Sequence, residues 1–144
     1  MKRVKDILAR KGSAITSVKP SATVLDALKI MSDQNIGSVM VMDGNKVAGV
    51  MTERDYARKV ILHGRSSTDT PVSEIMSTDF PRITPQDTLE QCMQLMSSNN
   101  IRYLPVYEDG VLSGIISIND VVKETILTHE ETISQLKDYL HASL

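Results

Sequence analysis

Two four-residue runs carry the side chains best suited to holding a small polar ligand: Thr52-Glu53-Arg54-Asp55 and Ser117-Ile118-Asn119-Asp120. In each, a hydroxyl stands three residues before a carboxylate. At a helix start the hydroxyl lies beside unpaired backbone N–H groups that can hold a phosphate, and a carboxylate one turn on can accept two hydrogen bonds from a ribose diol. The same spacing is also a helix-capping signature, seen again at Thr23-x-x-Asp26. Spacing alone leaves both readings open.

A basic cluster, Arg54, Arg58, Lys59 and Arg65 with His63 among them, follows the first run. Cations near a helix start oppose its dipole, so Arg54 and Arg58 call for a solvated face, an acidic neighbour such as Glu53, or a bound anion. The second run has only Lys123 in the equivalent stretch. The more anionic end of a ligand is therefore expected near Asp55, with Arg58 and Lys59 as candidate anion-binding side chains.

Other chemistries find little purchase. The chain has no G-x-S-x-G elbow, no P-loop, no G-x-G-x-x-G and no H-E-x-x-H. His63, His129 and His141 are scattered, so no metal site is expected, and no acid–base pair can be argued from spacing. The reading is of a protein that is not an enzyme. The lone cysteine, Cys92, falls at an apolar helix position and reads as a small core residue.

The elements that position both runs come from a duplication. Sliding the chain over itself by 65 positions aligns Pro20 with Pro85, Thr23 with Thr88, Asn35-Ile36 with Asn100-Ile101, Gly49 with Gly114 and Asp55 with Asp120, giving 11 identities in the 43 positions from Pro20 to Leu62 without a gap. Within each copy, Thr23 and Thr88 predict helix caps, with Asp26 and Gln91 as reciprocal partners. Val24, Ala27, Leu28 and Met31, repeated as Leu89, Cys92, Met93 and Met96, predict one buried helix stripe.

Two short apolar runs joined by a turn predict a hairpin in each copy: Val39–Met42 with Val47–Met51, and Leu104–Tyr107 with Leu112–Ile116. A second helix follows, with Tyr56, Ala57, Val60 and Ile61 answered by Val121, Val122 and Ile126. Extended pieces at Ile15–Val18 and Phe80–Ile83 complete a β-α-β-β-α unit. The fold class is α/β (α+β), with two such repeats packed about a pseudo-twofold axis, since a unit of about 60 residues is marginal alone.

Val4-x-Asp6-Ile7-Leu8 also resembles Val72-x-Glu74-Ile75-Met76, at an offset of 68. His63 to Pro71 reads as a linker. The expected division is 1–65 for repeat 1 with its N-terminal segment, 66–127 for repeat 2, and 128–144 for a C-terminal amphipathic helix. Ile126, Ile133, Leu136 and Leu140 line the apolar edge of that helix, which could cover this chain or a partner.

Composition sets outer limits. The chain has 144 residues, 41% hydrophobic and 24% charged, with a net charge of −2, within the ordinary globular range and without a broadly basic nucleic-acid-binding surface. Four Tyr, one Phe and no Trp are too few for a base-stacking platform. One cysteine, with no long apolar N-terminal stretch, reads as intracellular and cytoplasmic, with no membrane partner.

These residues resemble a known family. The paired β-α-β-β-α repeats, each with a glycine in its return strand and a closing [ST]-x-x-D, are similar to tandem CBS domains, the Bateman module; Thr52–Tyr56 and Ile101–Val106 resemble its stand-alone two-repeat type. The resemblance implies binding of adenosine-containing ligands (AMP, ADP, ATP, NAD or S-adenosylmethionine) in clefts between the repeats, with occupancy passed to an effector in another chain. It implies that Asp55 and Asp120 take ribose hydroxyls and that Thr52 and Ser117 face ribose or phosphate, with Arg54 and Asn119 alongside. Asp120 would share its site with Ile15, Thr16, Ile36 and Ser38, and Asp55 with Ile101, Arg102 and Tyr103. Adenine would lie against Val50 or Ile115. A homodimer is implied as well. The alternative is a ligand-independent dimerisation or interaction module with closed clefts.

Overall fold

In the computed structural model, residues 1–143 are described, with side chains described through Asp138. The side chains of Tyr139, Leu140 and His141 therefore lie outside the described residues. The chain divides into two compact units, Ile15–Phe80 and Met1–Ala14 with Pro81–Leu144.

In the unit Ile15–Phe80, strand β1 (Ser17–Val18) runs parallel to β2 (Ser38–Asp43), and β2 is antiparallel to β3 (Lys46–Thr52), in the order β1-β2-β3. Helix α2 (Val24–Gln34) starts where Thr23 Oγ1 accepts from the Asp26 N–H at 3.1 Å, and ends at Asn35 in the left-handed conformation, φ 54°. A short helix, α3 (Glu53–Lys59), follows β3 directly. Val24, Ala27 and Met31 of α2, Val39 and Val41 of β2 and Met51 of β3 form its core.

The second unit repeats this plan at the same offset. Helix α4 (Leu89–Asn99) begins with a reciprocal box, Gln91 N–H to Thr88 Oγ1 at 3.2 Å and Thr88 N–H to Gln91 Oε1 at 2.8 Å, and ends at Asn100, φ 55°. Strands β4 (Tyr103–Glu108) and β5 (Val111–Ser117) form a hairpin whose irregularity at Val106/Tyr107 matches the one at Val41/Met42. A single parallel bridge, Ile83 to Val106, stands where the first unit has β1. Helix α5 (Ile118–Ser143) closes the chain.

The compact units are cut at other places than the sequence repeats. Helix α1 (Val4–Lys11) packs with the second repeat, not the first, and Val72–Met76 packs with the first. Main-chain bonds select these partners: the Val4 N–H donates to the Asp87 carbonyl at 2.9 Å, and its counterpart, the Val72 N–H, donates to the Ala22 carbonyl at 2.8 Å. Val4 with Ile7, and Val72 with Ile75, each complete a core next to the start of α4 or α2. The 68-residue offset thus marks two segments that each leave the repeat they precede. The C-terminal stretch is likewise no separate element at 128, because α5 runs unbroken from Ile118.

Two details of the apolar reading change. Helix α3 ends at Val60 (φ −114°, ψ −71°), which throws Ile61 and Leu62 into an exposed 3-10 turn (Ile61–His63). On α5 the buried positions are Val121 and Glu124, whereas Val122 and Ile126 are exposed. The connector after His63 is more than a tether, since the Thr70 and Ser67 carbonyls accept from the first N–H groups of α2. Among the described residues, no helix is long and apolar enough to cross a membrane.

Candidate functional site

Each hydroxyl-x-x-carboxylate run forms a reciprocal helix cap. Thr52 leaves β3 extended, so its side chain faces the first free N–H groups of α3. Thr52 Oγ1 accepts from the Asp55 N–H at 3.0 Å, while Asp55 Oδ2 accepts from both the Thr52 N–H and its hydroxyl at 3.0 Å. Lys59 Nζ lies 3.1 Å from Asp55 Oδ1, and the Ser77 hydroxyl donates to the same oxygen at 3.4 Å. Both carboxylate oxygens are engaged, and Asp55 is buried.

Around this cap the fold gathers Ile36–Ser38: the Glu53 N–H donates to the Gly37 carbonyl at 3.1 Å, and Ser38 lies opposite Thr52 across the hairpin. Val50 is fully buried and its main chain pairs in both directions with Ser77. Thr16 sits at the β2 edge, its carbonyl accepting from the Met40 N–H and its hydroxyl donating to Gln34 Oε1 at 2.6 Å; Ile15 beside it is half-buried. Arg54 and Arg58 are exposed on α3. Of the basic cluster, Lys59 is spent on Asp55 and on the Ile75 carbonyl, and Arg65 on Glu74.

The second unit builds the same cap with a different outcome for the acid. Ser117 Oγ accepts from the Asp120 N–H at 3.2 Å, and Asp120 Oδ2 accepts from the Ser117 N–H at 2.8 Å. Lys11 Nζ reaches the same Oδ2 at 2.8 Å. Oδ1 takes no protein hydrogen bond among the described residues. The Ile118 N–H donates to the Arg102 carbonyl at 2.9 Å, and Tyr103 lies opposite Ser117, which draws Ile101–Tyr103 to the start of α5. Ile115 is half-buried opposite Pro105, and Asn119 is exposed.

Cations gather at the second repeat as well as at the first. Helix α1 and the residues before it deliver Lys2, Arg10 and Lys11 to the second unit, where Arg10 Nε lies 2.9 Å and Lys2 Nζ 3.5 Å from the buried Glu124. Sequence reasoning missed these four residues. For the three cations the signal was the 68-residue match, which shows that the segment before repeat one is built like Val72–Met76 but not which repeat it joins.

A duplicated β-α-β-β-α unit, capped alike in both copies, defines a paired-repeat α/β module. Residues 4–62 and 72–126 each match the CBS domain, and the chain belongs to the CBS-domain family. It is 36% identical over 146 residues to the CBS domain-containing protein CBSX3, mitochondrial, of Arabidopsis thaliana, covering 95% of this chain and 71% of that protein. It is 31% identical to the CBS domain-containing protein YhcV of Bacillus subtilis (strain 168), covering 100% of this chain and 99% of that one. A CBS-domain protein from Burkholderia ambifaria MC40-6 superposes with a TM-score of 0.85 at 43% identity, covering 88% of this chain and 95% of that one. CBS pairs of this kind form a regulatory, signal-transduction family and are generally not catalytic.

Proposed function

We propose that this chain is a regulatory module that binds adenosine-containing nucleotides (AMP, ADP, ATP or NAD), self-associates, and passes its occupancy to an effector chain. The observation that carries the reading is Asp120. Its cap uses Oδ2, which leaves the lone pairs of Oδ1 for a ribose diol, and the cap holds the carboxylate still without exhausting it. Ser117 and Lys11 add a hydroxyl and a cation suited to ribose or phosphate. Ile101–Tyr103 and Ile115 stand by with polar and apolar surface. Occupancy acts by favouring one arrangement of the chain, to the extent that the ligand binds that arrangement better.

Asp55 supports a second reading. With both of its oxygens taken and its side chain buried, the first repeat fits a ligand-independent interaction module whose carboxylate only caps a helix.

Thermal unfolding with each nucleotide separates the two. A ligand present at a hundred times its Kd stabilises the protein by about 2.7 kcal/mol, and Asp120→Ala removes that gain. Unchanged melting with all of them overturns the nucleotide reading and leaves the interaction module.

A further inference from the structure

The two repeats cover the start of their capped helix differently. In the first unit α3 ends at Val60, the chain turns at Gly64 (φ 67°) and folds back over α2, where the Thr70 and Ser67 carbonyls accept from the Val24 and Leu25 N–H groups, each at 2.9 Å. In the second unit Thr125 matches Val60 at the 65-residue offset, but α5 runs on without a break. Its Thr125 and Thr128 hydroxyls donate to the Val121 and Glu124 carbonyls, both at 2.8 Å. The residues that match the folded-back segment therefore stay on the helix.

Only half of that covering is replaced. The segment before α1 takes the place of Thr70 and Pro71: Arg3 bridges Thr88 as Pro71 bridges Thr23, and the Leu89 N–H donates to the Lys2 carbonyl at 3.4 Å. Among the described residues nothing takes the place of Ser67, so the Glu90 N–H, the counterpart of Leu25's, finds no acceptor there. Glu90 and Met93 are exposed where Leu25 and Leu28 are half-buried. A cavity of about 350 Å³ opens at this place, with Lys2, Glu90, Met93, Thr125, Thr128 and His129 in its lining. That is a size at which proteins hold a ligand.

The first repeat shows what fits. Its covering segment is main chain shaped by small hydroxyl side chains: Ser66 Oγ and Thr68 Oγ1 lie 2.7 Å apart, and the Thr70 hydroxyl donates to the Ser66 carbonyl at 2.6 Å. Such local bonds hold a turn whose carbonyls are free to face a helix start. Charge does not call for an anion, because Lys2 Nζ is committed to Glu124 and Glu131, at 3.5 and 3.7 Å, and Glu90 itself lines the cavity. We infer that the cavity receives an uncharged, serine- and threonine-rich turn of a partner chain, one of whose carbonyls accepts from the Glu90 N–H as Ser67's accepts from Leu25's. The inference stands without nucleotide binding.

Backbone amide spectra of the full chain, titrated with the acetylated and amidated peptide of residues 64–68, test it, with circular dichroism as the check on folding. The amides of Glu90, Met93 and His129 should shift saturably at millimolar peptide. The same peptide with Ser66→Ala, Ser67→Ala and Thr68→Val should bind about tenfold more weakly, since nothing then holds the turn. In the protein, Glu90→Pro deletes the N–H within the first helical turn, where proline is tolerated, and should weaken binding by about tenfold. Thr128→Arg fills the cavity without altering α4 and should abolish it. No saturable shift overturns the site, and binding indifferent to both protein variants places the peptide elsewhere and overturns it too. Equal shifts with N-methylacetamide would show that any amide suffices, amides that move with protein concentration alone would assign the cavity to a second copy, and tighter binding of the Ser67-phosphorylated peptide would assign it to an anion; each overturns the proposal.

Discussion

Lys11 Nζ lies 2.8 Å from Asp120 Oδ2 although 109 residues separate them, and the same ammonium donates to the Ile115 carbonyl at 3.0 Å. In the other repeat Lys59 makes the matching pair of contacts, 3.1 Å to Asp55 and 2.9 Å to the Ile75 carbonyl, from the very helix that carries the acid. Each carboxylate is therefore countered by a lysine, brought by a remote segment in one case and a local helix in the other.

Because Lys11 is about a third exposed, solvent screens its ion pair. Lys11→Met should cost no more than about 1 kcal/mol in urea unfolding. Its effect on ligands should be larger in kind. Removing the ammonium frees Asp120 for ribose and deletes a cation near any phosphate, so calorimetric titration should show affinity shifting from ATP towards uncharged adenosine. An unchanged ratio of the two affinities would separate Lys11 from the site.

Glu124 is a different case, being 2% exposed and held by Arg10 and Lys2. Glu124→Ala removes a charged hydrogen bond and side-chain volume from the α1–α5 contact, and should destabilise by about 2 to 3 kcal/mol. Arg10 stays half-exposed, so no buried charge is stranded. Glu124→Met keeps the volume without the desolvation that a buried carboxylate costs, and should recover most of that loss. Denaturant midpoints of the two variants decide it: equal losses would place the contribution in the ion pair.

The duplicated scaffold was legible because its signals are local. Thr23 and Thr88 cap, Asn35 and Asn100 take the left-handed turn, and alternating apolar residues fix the hairpins, all within a few residues of one another. Both acid caps were legible for the same reason. What escaped is long-range choice. The pattern of Val4 and Ile7 requires that α1 be buried but does not name the repeat that buries it, and Lys11 and Arg10 travel with that choice. Glu124 escaped because a charge at a core-facing position makes sense only once its cations arrive. Ile61 and Leu62 misled because the backbone breaks at Val60, after which helical periodicity no longer applies.

The swapped segments also predict unequal tolerance at two equivalent glycines. A methyl group on Gly49 would lie 2.7 Å from the Ser77 carbonyl oxygen and 2.9 Å from Met76 Sδ, whereas on Gly114 its nearest neighbour is Leu8 Cδ2 at 2.9 Å. Main chain bound into a bridge cannot retreat, but a half-buried leucine can rotate. Gly49→Ala should therefore destabilise by about 3 kcal/mol and Gly114→Ala by about 1 kcal/mol, measured as shifts in unfolding midpoint.

Cys92 is fully buried between α1 and the hairpin core, and burial, with the nearby Asp87 carboxylate adding to it, pushes its thiol from 9.0 up to about 11. At pH 8 about one thiol in a thousand is ionised, so a thiol reagent should modify the native protein only as fast as it unfolds, and should react at once in denaturant. The linkage has a definite sign. The raised value means that the folded state holds its proton after the unfolded chain has released it, so the contribution is fully present below pH 9 and is lost as pH rises towards 11. At about 1.4 kcal/mol per unit this amounts to roughly 2 to 3 kcal/mol. Cys92→Val lacks the titrating group and should show that much less alkaline destabilisation than the wild type when both are unfolded at pH 8 and at pH 11; parallel losses would mean that the thiol is not what titrates.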